Sequence, residues 1–238
     1  MISKARIKYV RSLYQKKFRD RDGVFIAEGP KIIAELSKSY ELVERYDGAD
    51  GDAASMMDAP QGALAIFRQR DDDCSTRLAK DRLHLMLDDV QNPGNLGTIV
   101  RLADWFGIED IWCSNGCADI YNPKTVQATM GAMARVRVRY GNLDEILENR
   151  PEDMDVFGTF LDGDSLYETE MSEGGIIIMG NEGHGIGNDL EKHITRRIRI
   201  PNYPEGRETS ESLNVAIATG LVCGEFRRRS VTETVKGR

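Results

Sequence analysis

The larger, C-terminal part of the chain alternates short apolar runs with stretches whose apolar residues recur at helical spacing. Strands are predicted at the apolar runs Leu83–Leu87, Asp110–Cys113, Val136–Arg139, Val156–Phe160, Ile176–Met179 and Ile198–Ile200. Helices are predicted at Asn95–Phe106, Pro123–Ala134, Leu143–Leu147 and Leu213–Arg228. Strands and helices in alternation predict an α/β domain, in which a parallel sheet carries helices on both faces.

The N-terminal part follows a different pattern and is predicted to be a smaller domain. Residues 1–21 form a predicted basic helix with the apolar stripe Ile7, Val10, Leu13 and Tyr14. Short strands are predicted at Val24–Gly29 and Leu64–Phe67, and a helix is predicted to run from Pro30 to Leu36. The segment 47–58 is rich in Asp, Gly and Ala and is predicted to be a surface loop.

The boundary between the two parts is predicted in a polar, charged segment that ends near Lys80. We therefore assign residues 1–75 to an N-terminal domain, residues 76–82 to a linker and residues 83–238 to the larger domain. A chain of 238 residues is long enough for this division.

The first candidate for chemistry is the stretch Asp88–Gly107, which joins a predicted buried strand to a helix. Its Asn-Pro-Gly-Asn turn ends at Asn95 and lies at the carboxyl end of the strand, where α/β sheets bind ligands. Arg101 lies off the apolar face of the helix that follows. An alternative interpretation is a plain tight turn, with Arg101 in an ion pair with Asp104.

The second candidate is the stretch Ile176–Gly187, in which an apolar strand runs into a loop with four glycines around Glu182. Glycines allow the backbone to approach a ligand closely. The glycine spacing differs from the dinucleotide fingerprint, and no phosphate-binding G-x-x-x-x-G-K-[ST] sequence is present, which disfavours nucleotide-dependent oxidoreductases and nucleotidases. His184 is interpreted as a surface residue, although a metal or general-base role is the alternative.

The third candidate runs from Ile198 through a polar loop into the helix predicted from Leu213. That helix is apolar nearly all round and is therefore expected to be buried. Ser212 is a plausible N-cap. Asn214 would be a polar group at the start of a buried helix and would need a hydrogen-bond partner there. A purely structural cap is the alternative for this residue.

Net charge argues against indiscriminate binding of nucleic acid, yet the charge is unevenly distributed. The chain carries a formal net charge of -7. A basic cluster nevertheless occupies its first residues, in which only Asp20 opposes Lys4, Arg6, Lys8, Arg11, Lys16, Lys17, Arg19 and Arg21. Such a segment is suited to phosphate contacts, and we predict that these eight residues bind RNA. The alternative is a solvated basic helix face.

Cysteine use and hydropathy indicate a cytoplasmic protein. Four cysteines in a chain that can bury its own core fit reduced thiols. Cys113 and Cys117 have no histidine near them in the sequence, so we predict no metal site. No apolar run is long enough to span a bilayer, and membrane association is not expected.

Together, these stretches resemble the SpoU family of RNA ribose 2′-O-methyltransferases, of the SPOUT or α/β-knot class. The similarity is carried by N-P-G-N-L-G-T-I-V-R, by I-M-G-N-E-G-H-G-I and by I-R-I-P with S-L-N-V-A-I-A, in this order. F-I-A-E-G-P-K and A-P-Q-G-A-L-A resemble the family's substrate-binding module, which is similar to a small ribosomal-protein RNA-binding fold. The resemblance implies a trefoil-knotted parallel sheet, S-adenosylmethionine as cofactor, an rRNA or tRNA substrate, and a homodimer with the site near its interface.

The resemblance also implies site residues. Carried over by position, the catalytic set is Asn95, Arg101, Glu182, Ser212 and Asn214. The cofactor-binding set is Thr159, Phe160, Leu161, Gly180, Asn181, Glu182, Gly183, Ile200, Pro201 and Leu213. The loop between Ile200 and Leu213 is longer than the family pattern leads us to expect, and its Glu205, Arg207 and Glu208 are expected to alter substrate access.

Two roles are open for Arg101 in methyl transfer to a hydroxyl. Family accounts make it the base that takes the proton, but a guanidinium stays protonated in proteins. It can instead hold an adjacent phosphate and stabilise developing alkoxide. The main alternative for the whole chain is an inactive RNA-binding or ribosome-assembly factor with the same fold. The intact catalytic set argues against that alternative.

Overall fold

The computed structural model describes residues 1–70, 78–204, 207, 208, 210 and 212–236. Its first part contains α1 (Lys4–Ser12), α2 (Lys16–Asp22), β1 (Val24–Glu28), α3 (Pro30–Leu36), β2 (Leu42–Asp47), α4 (Ala49–Ala54) and β3 (Ala63–Arg68). The three strands form an antiparallel sheet in the order β1-β3-β2. This part is the small α/β unit that the sequence predicts.

Several details of the N-terminal prediction are wrong. The single basic helix is interrupted after Leu13, because Gln15 has an extended backbone, and the chain resumes a helix at Lys16. The buried guanidinium of Arg19 donates to the carbonyls of Leu13 and Tyr14 at this break, each at 2.9 Å. The two carbonyls left free by the break need a hydrogen-bond donor, and Arg19 of the next helix supplies it. The spacing of apolar residues gives no sign of that donor, so it could not predict the break.

The segment predicted as a loop at 47–58 contains α4, and the edge strand β2 was not predicted. β2 is mostly exposed, so it lacks the apolar alternation of a half-buried strand. α4 packs closely on the sheet at Gly51, where an added Cβ would lie 2.8 Å from the carbonyl oxygen of Tyr46. Close backbone packing, rather than helix propensity, therefore accounts for α4.

The second part of the chain begins with β4. It contains β4 (Leu83–Leu87), α5 (Pro93–Trp105), β5 (Asp110–Cys113), α6 (Pro123–Thr129), a 3₁₀ helix (Ala132–Ala134), β6 (Arg137–Tyr140), α7 (Leu143–Glu148), β7 (Val156–Ser165), β8 (Gly175–Met179), α8 (Asn188–Glu191), β9 (Arg196–Arg199) and α9 (Val215–Lys236). Its six strands are all parallel and lie in the order β6-β5-β4-β8-β7-β9. The predicted α/β class with a parallel sheet is confirmed.

Helices cover both faces of this sheet, also as predicted. Alternate residues of each central strand enter different cores, since successive side chains of a strand point to opposite faces. On one face, Leu85 and Ile177 pack with residues of α5, α6 and α9. On the other face, Met86 and Ile178 pack with residues of α7 and α8. None of the described helices combines the length and apolarity needed to cross a membrane.

Two helix bounds differ from the prediction. The helix predicted over Pro123–Ala134 ends at Thr129, because Met130 and Gly131 have left-handed backbones, and a separate 3₁₀ helix follows. The helix predicted from Leu213 begins at Val215. Apolar residues continue past the end of the first helix and precede the start of the second. The apolar pattern alone therefore does not locate a helix end accurately.

The two parts of the chain share one core, and the predicted boundary at residues 76–82 remains a prediction. Phe25 and Ile33 of the first part belong to the same buried cluster as Val126 and Met133 of the second. Nη2 of Arg19, whose side chain is 2% exposed, lies 2.6 Å from Oδ2 of Asp119. The N-terminal part is therefore docked on α6 and the loop before it.

The C-terminal helix is fixed by an ion-pair network around Glu225, whose side chain is 6% exposed. Arg228 donates two hydrogen bonds of 2.7 Å to this carboxylate, and Arg229 donates a third of 2.7 Å. Arg229 also donates to the carbonyl of Leu166. These hydrogen bonds, Arg228 first and then Arg229, lower the pKa of Glu225 to about 2 despite its burial.

We predict that Glu225→Gln destabilises the protein at neutral pH but not at low pH. A lowered carboxyl pKa stabilises the fold fully above the unfolded pKa of 4.5, and this stabilisation is lost as pH falls toward about 2. The variant should lose about 1–3 kcal/mol of unfolding free energy at pH 7 and show a flatter pH dependence below pH ~5 in urea denaturation. The exposed Glu173→Gln is the control, and equal effects of the two changes would contradict the prediction.

Candidate active site

A pocket of about 900 Å³ lies beside β7, β8, β9 and the start of α9. Among its lining residues are all ten that were predicted to contact a cofactor, namely Thr159, Phe160, Leu161, Gly180, Asn181, Glu182, Gly183, Ile200, Pro201 and Leu213. Its size is typical of small-molecule sites. The fold thus brings together four segments that are separate in the sequence.

Other residues of the lining were not predicted. They are Met179, His184, Gly185, Ile198, Arg199, Asn202, Ser210, Ser212, Val215 and Ala218, of which only Ser212 had been assigned another role. Most adjoin a predicted residue in the sequence, so wider windows around the motifs would have included them. Ser210 lies within the long loop after Ile200, where no sequence pattern indicated a contact. Arg207 and Glu208 are not among the lining residues, and Glu205 lies outside the described residues.

The glycine loop after β8 is a tight hairpin held by its own backbone. Asn181 and Gly185 exchange two backbone hydrogen bonds of 2.9 and 3.0 Å. The side-chain oxygen of Asn181 accepts from the backbone N–H of Gly183 at 2.7 Å and of His184 at 3.3 Å. A Cβ at Gly180 would lie 2.3 Å from the carbonyl carbon of Gly185. Gly180 is therefore required for the close approach of the two arms.

Two aspartates after β4 attach this hairpin to the start of the Asn-Pro-Gly-Asn stretch. Asp88 accepts a hydrogen bond of 2.9 Å from the N–H of Gly187. The side-chain amide of Asn181 donates to the carbonyl of Asp89 at 2.8 Å. Asp89 has a left-handed backbone, with φ of 56°, and its N–H donates to the hydroxyl of Ser114. Sequence reasoning missed both aspartates, because neither belongs to a recognisable catalytic pattern.

Three of the predicted catalytic residues form one hydrogen-bonded chain. The amide of Asn95 donates to Oε1 of Glu182 at 2.6 Å, and the amide of Asn214 donates to Oδ1 of Asn95 at 3.0 Å. The Oδ1 of Asn214 accepts from the N–H of Ala216 at 3.0 Å and of Ile217 at 3.3 Å, at the start of α9. Asn95 therefore joins the glycine hairpin to the C-terminal helix.

The start of α9 differs from the sequence prediction in two ways. Asn214, and not Ser212, is the N-cap of this helix, while Ser212 is exposed and lines the pocket. The expectation of a wholly buried helix is also wrong, since Ile217 is 58% and Leu221 42% exposed. Apolar composition alone cannot distinguish a buried face from one left open to solvent.

Arg101 is exposed, and no described residue forms an ion pair or hydrogen bond with it. The alternative pairing with Asp104 is wrong, because Asp104 accepts two hydrogen bonds of 2.7 Å from Arg135. Arg101 lies six residues beyond Asn95 on α5, which is about 9 Å along the helix axis. The guanidinium is therefore available to a ligand, but within this chain it is not part of the Asn95 hydrogen-bonded chain.

A bulge in β7 shapes one wall of the pocket. Thr159 and Asp164 both align with Ile198 of β9, so that the residues between them loop out of the sheet. Phe160 is the first of these residues, and the guanidinium of Arg197 lies 3.6 Å from its ring centroid. This cation–π contact fixes an aromatic side chain of the lining.

The eight basic residues predicted to bind RNA are not equivalent in the structure. Arg19 is only 1% exposed and its guanidinium is used inside the fold, so its assignment as an RNA contact is wrong. Other members are exposed but bound to acidic side chains: Lys16 to Asp20 and Arg21 to Asp22. Arg6 donates to Tyr46 and Glu44 and is half-buried. Lys4, Lys8, Arg11 and Lys17 are exposed and form no ion pair with a described residue.

Potential metal ligands in the described part of the chain gather away from the pocket. Asp144, Glu148 and His193 approach one another on the α7 side of the sheet, but the ammonium of Lys192 lies 3.0 Å from Asp144. His184, at the pocket, is exposed and lies 3.6 Å from Asp89, consistent with a surface residue. Cys113, Cys117 and Cys223 are free thiols, and Cys74 lies outside the described residues.

Comparison with known proteins identifies the family. The model of the SpoU rRNA Methylase family matches residues 82–224, and the model of an MRM3-like substrate binding domain matches residues 4–46. The chain belongs to the SpoU rRNA methylase family. The resemblance predicted from the three motifs is thereby confirmed.

Individual relatives align over nearly the whole chain. A putative RNA methyltransferase of the TrmH family from Porphyromonas gingivalis is 38% identical, with a TM-score of 0.86 over 96% of this chain and 99% of that one. An AdoMet-bound rRNA methyltransferase from Sinorhizobium meliloti is 29% identical, with a TM-score of 0.84 over 96% of each chain. The 23S rRNA (guanosine(2553)-2'-O)-methyltransferase RlmP of Bacillus subtilis is 29% identical over 93% of this chain and 96% of its own length. The predicted α/β-knot fold class is confirmed by these solved structures.

The role of Asn181 in the hairpin leads to a prediction about local stability. Asn181→Ala removes the acceptor for two loop N–H groups and the donor to Asp89. Amide hydrogen exchange should therefore accelerate in residues 183–187 while β8 stays protected. The exposed Asn188→Ala, just outside the hairpin, serves as the control. Unchanged protection of the hairpin in the Asn181 variant would show that its backbone bonds suffice.

Proposed function

We propose that this chain transfers the methyl group of S-adenosylmethionine to a ribose 2′-hydroxyl of structured RNA. The observation that carries the proposal is the hydrogen-bonded chain of Asn214, Asn95 and Glu182, which ends at the pocket lined by the glycine hairpin. A buried core would not need three polar side chains joined across three loops. Their position beside a ligand-sized pocket favours catalysis over a purely structural role.

The pocket suits S-adenosylmethionine. Leu161, Ile200 and Leu213 offer apolar surface to an adenine ring and an aliphatic chain, and the hairpin offers backbone without side chains in the way. Glu182 provides a negative charge that complements a sulfonium. When bound there, the cofactor supplies an electrophilic methyl carbon. The family relative from Sinorhizobium meliloti is described as AdoMet-bound, which supports the same ligand here.

The residues of this chain would orient the nucleophile and handle its proton. Asn95 presents its amide N–H to Glu182, so one carboxylate oxygen is held in place, and no described residue bonds the other. That oxygen can accept a hydrogen bond from the ribose 2′-hydroxyl and take its proton during the transfer. Arg101 is exposed and unpaired within the described chain, so its planar guanidinium is suited to binding the neighbouring phosphate and stabilising developing alkoxide.

Ribosomal RNA is the substrate class that the comparisons favour. The relatives from Bacillus subtilis, Neisseria meningitidis and Escherichia coli are all described as 23S rRNA guanosine 2′-O-methyltransferases. A ribose 2′-hydroxyl is absent from DNA, so the acceptor itself restricts the reaction to RNA. Transfer RNA remains the second substrate class. An inactive RNA-binding factor is disfavoured by the intact chain of Asn95, Glu182 and Asn214.

We further propose that two copies associate through α5 and α9 in the cytoplasm. Leu213, Ile217 and Leu221 are spaced four residues apart and are each more than 40% exposed, and Trp105 on the adjoining α5 is 84% exposed. Exposed apolar residues grouped in this way favour an interface. α5 and α9 pack closely, since a Cβ at Gly220 would lie 3.4 Å from Leu102. The free thiols fit a reducing compartment.

The proposed reaction is tested by incubating the protein with labelled S-adenosylmethionine and an unmodified 23S rRNA transcript, in the presence of a metal chelator. We expect labelled RNA in which one internucleotide bond resists alkali, because a methylated 2′-oxygen cannot attack the adjacent phosphate. Calorimetry under the same conditions should show cofactor binding. Binding of RNA without any methyl transfer would favour the inactive factor, and transfer that needs added metal would contradict the expected metal-free site.

Arg101→Ala should reduce the single-turnover rate by on the order of 100-fold or more, because it removes a group that stabilises charge in the transition state. The side chain is exposed, so unfolding free energy should change by less than ~0.5 kcal/mol. Arg101→Lys should restore only part of the rate, since an ammonium lacks the planar fork. Arg137, an exposed arginine at the far edge of the sheet, provides the control substitution. Wild-type turnover in the alanine variant would exclude this role.

Introducing charge on the exposed face of α9 should separate the two copies. Ile217→Asp combined with Leu221→Asp places carboxylates on a face that would be buried in a dimer, where unpaired charge is costly. We expect a dimer mass for the wild type and a monomer mass for the variant in light scattering. Lys38→Asp, on the N-terminal part, controls for charge alone. A wild-type monomer at all concentrations would contradict the proposed association.

A further inference from the structure

We propose that the RNA flanking the target nucleotide crosses the N-terminal ends of α5 and α6, with Lys124 holding a phosphate there. This inference rests on the proposed function, since it assumes an RNA substrate, and it adds a contact residue outside every motif considered above.

The docking brings the basic N-terminal segment to the same edge of the sheet as the site. Arg19 binds Asp119, which lies in the loop after β5, and the ammonium of Lys16 lies 4.0 Å from the same carboxylate. Ala118, which precedes Asp119 in the sequence, donates its N–H to the carbonyl of Val90 at 2.9 Å. Val90 lies in the loop after β4. A continuous series of contacts thus leads from Lys16 to the loop that opens α5.

α6 begins within this series and lies directly against the first turns of α5. A Cβ at Gly97 would lie 2.7 Å from the carbonyl oxygen of Thr125 and 2.5 Å from Cβ of Ala128, so the two helices touch backbone to backbone. Gly97 is two residues beyond Asn95, and Thr125 adjoins Lys124. Lys124 therefore lies beside the turn of α5 that carries Asn95.

The charge of Lys124 is free to act on a ligand. Its side chain is exposed, and none of the described carboxylates forms an ion pair with it. The closest acidic group in the sequence, Asp119, is already bound by Arg19 and approached by Lys16. Asn122 caps α6 through the backbone N–H of Lys124, so the cap leaves the ammonium unused. An unpaired cation at the start of α6, a helix whose preceding loop meets Lys16 and which packs on the first turns of α5, is suited to a phosphodiester running from the N-terminal part to the target ribose.

The test compares Lys124→Gln with Lys80→Gln, which removes the same charge just before the amino end of β4, where Lys80 pairs with Asp153. RNA binding to an unmodified 23S rRNA transcript is measured over a range of salt concentrations. The salt slope is the slope of the logarithm of the RNA-binding constant against the logarithm of salt concentration. Lys124→Gln should reduce its magnitude by about 0.7, the contribution of one phosphate contact on a single strand. Binding should weaken about fivefold at 0.1 M salt. Affinity for S-adenosylmethionine and the unfolding temperature should remain at wild-type values.

A photo-crosslinking residue placed at position 124 provides a direct readout. It should give RNA adducts within a few nucleotides of the methylated ribose, whereas the same residue at position 80 should not. Binding and salt slope equal to those of the Lys80 variant, or adducts remote from the methylated ribose, would overturn the inference. If methyl transfer fails altogether while Lys124→Gln still lowers the salt slope, the proposed reaction is wrong and the contact stands.

Discussion

The hydrogen bonds of Asn95 are the interaction on which the arrangement of this site depends. The side-chain amide of Asn95 donates to Glu182, 87 residues away, and accepts a hydrogen bond from Asn214, 119 residues away. It therefore joins two segments that are remote from it in the sequence. Because Asn214 also caps α9, the orientation of the C-terminal helix is coupled to the carboxylate at the pocket. A parallel sheet makes this possible, since the carboxyl ends of its strands meet at one edge.

The conformation of the glycine hairpin is fixed by its own hydrogen bonds and close packing, without a ligand. Its two arms approach too closely at Gly180 to admit a side chain, and Asn181 ties the turn to itself and to Asp89. The left-handed backbone at Asp89 costs on the order of 1 kcal/mol and is retained because several hydrogen bonds depend on it. A preorganised pocket of this kind reduces the ordering cost of binding.

The N-terminal part is better described as docked than as tethered. The sequence suggested Arg19 as an RNA contact. Its guanidinium instead donates hydrogen bonds to two backbone carbonyls and forms an ion pair with Asp119. The ring of Phe25 packs at a tilt against that of Tyr121, with centroids 4.8 Å apart, and the two parts share a core. Rigid docking fixes the distance between the exposed lysines of the first part and the site, which a flexible arm would leave variable.

The sequence alone determined the class of fold, the family and half of the residues that line the pocket. The strand β8 is buried on both faces, so its apolar run Ile176–Met179 is unbroken, and a side chain at Gly180, in the loop that follows, would clash with Gly185. The break at Leu13, the exposure of Ile217, the burial of Arg19 and the capping by Asn214 were decided only by the tertiary structure. The burial of Arg19 depends on Asp119 and the position of Asn214 depends on Asn95, partners 100 and 119 residues away, while Ile217 lies on a face left open to solvent. Local periodicity carries no information about such a partner, because it reports only which side of an element is apolar.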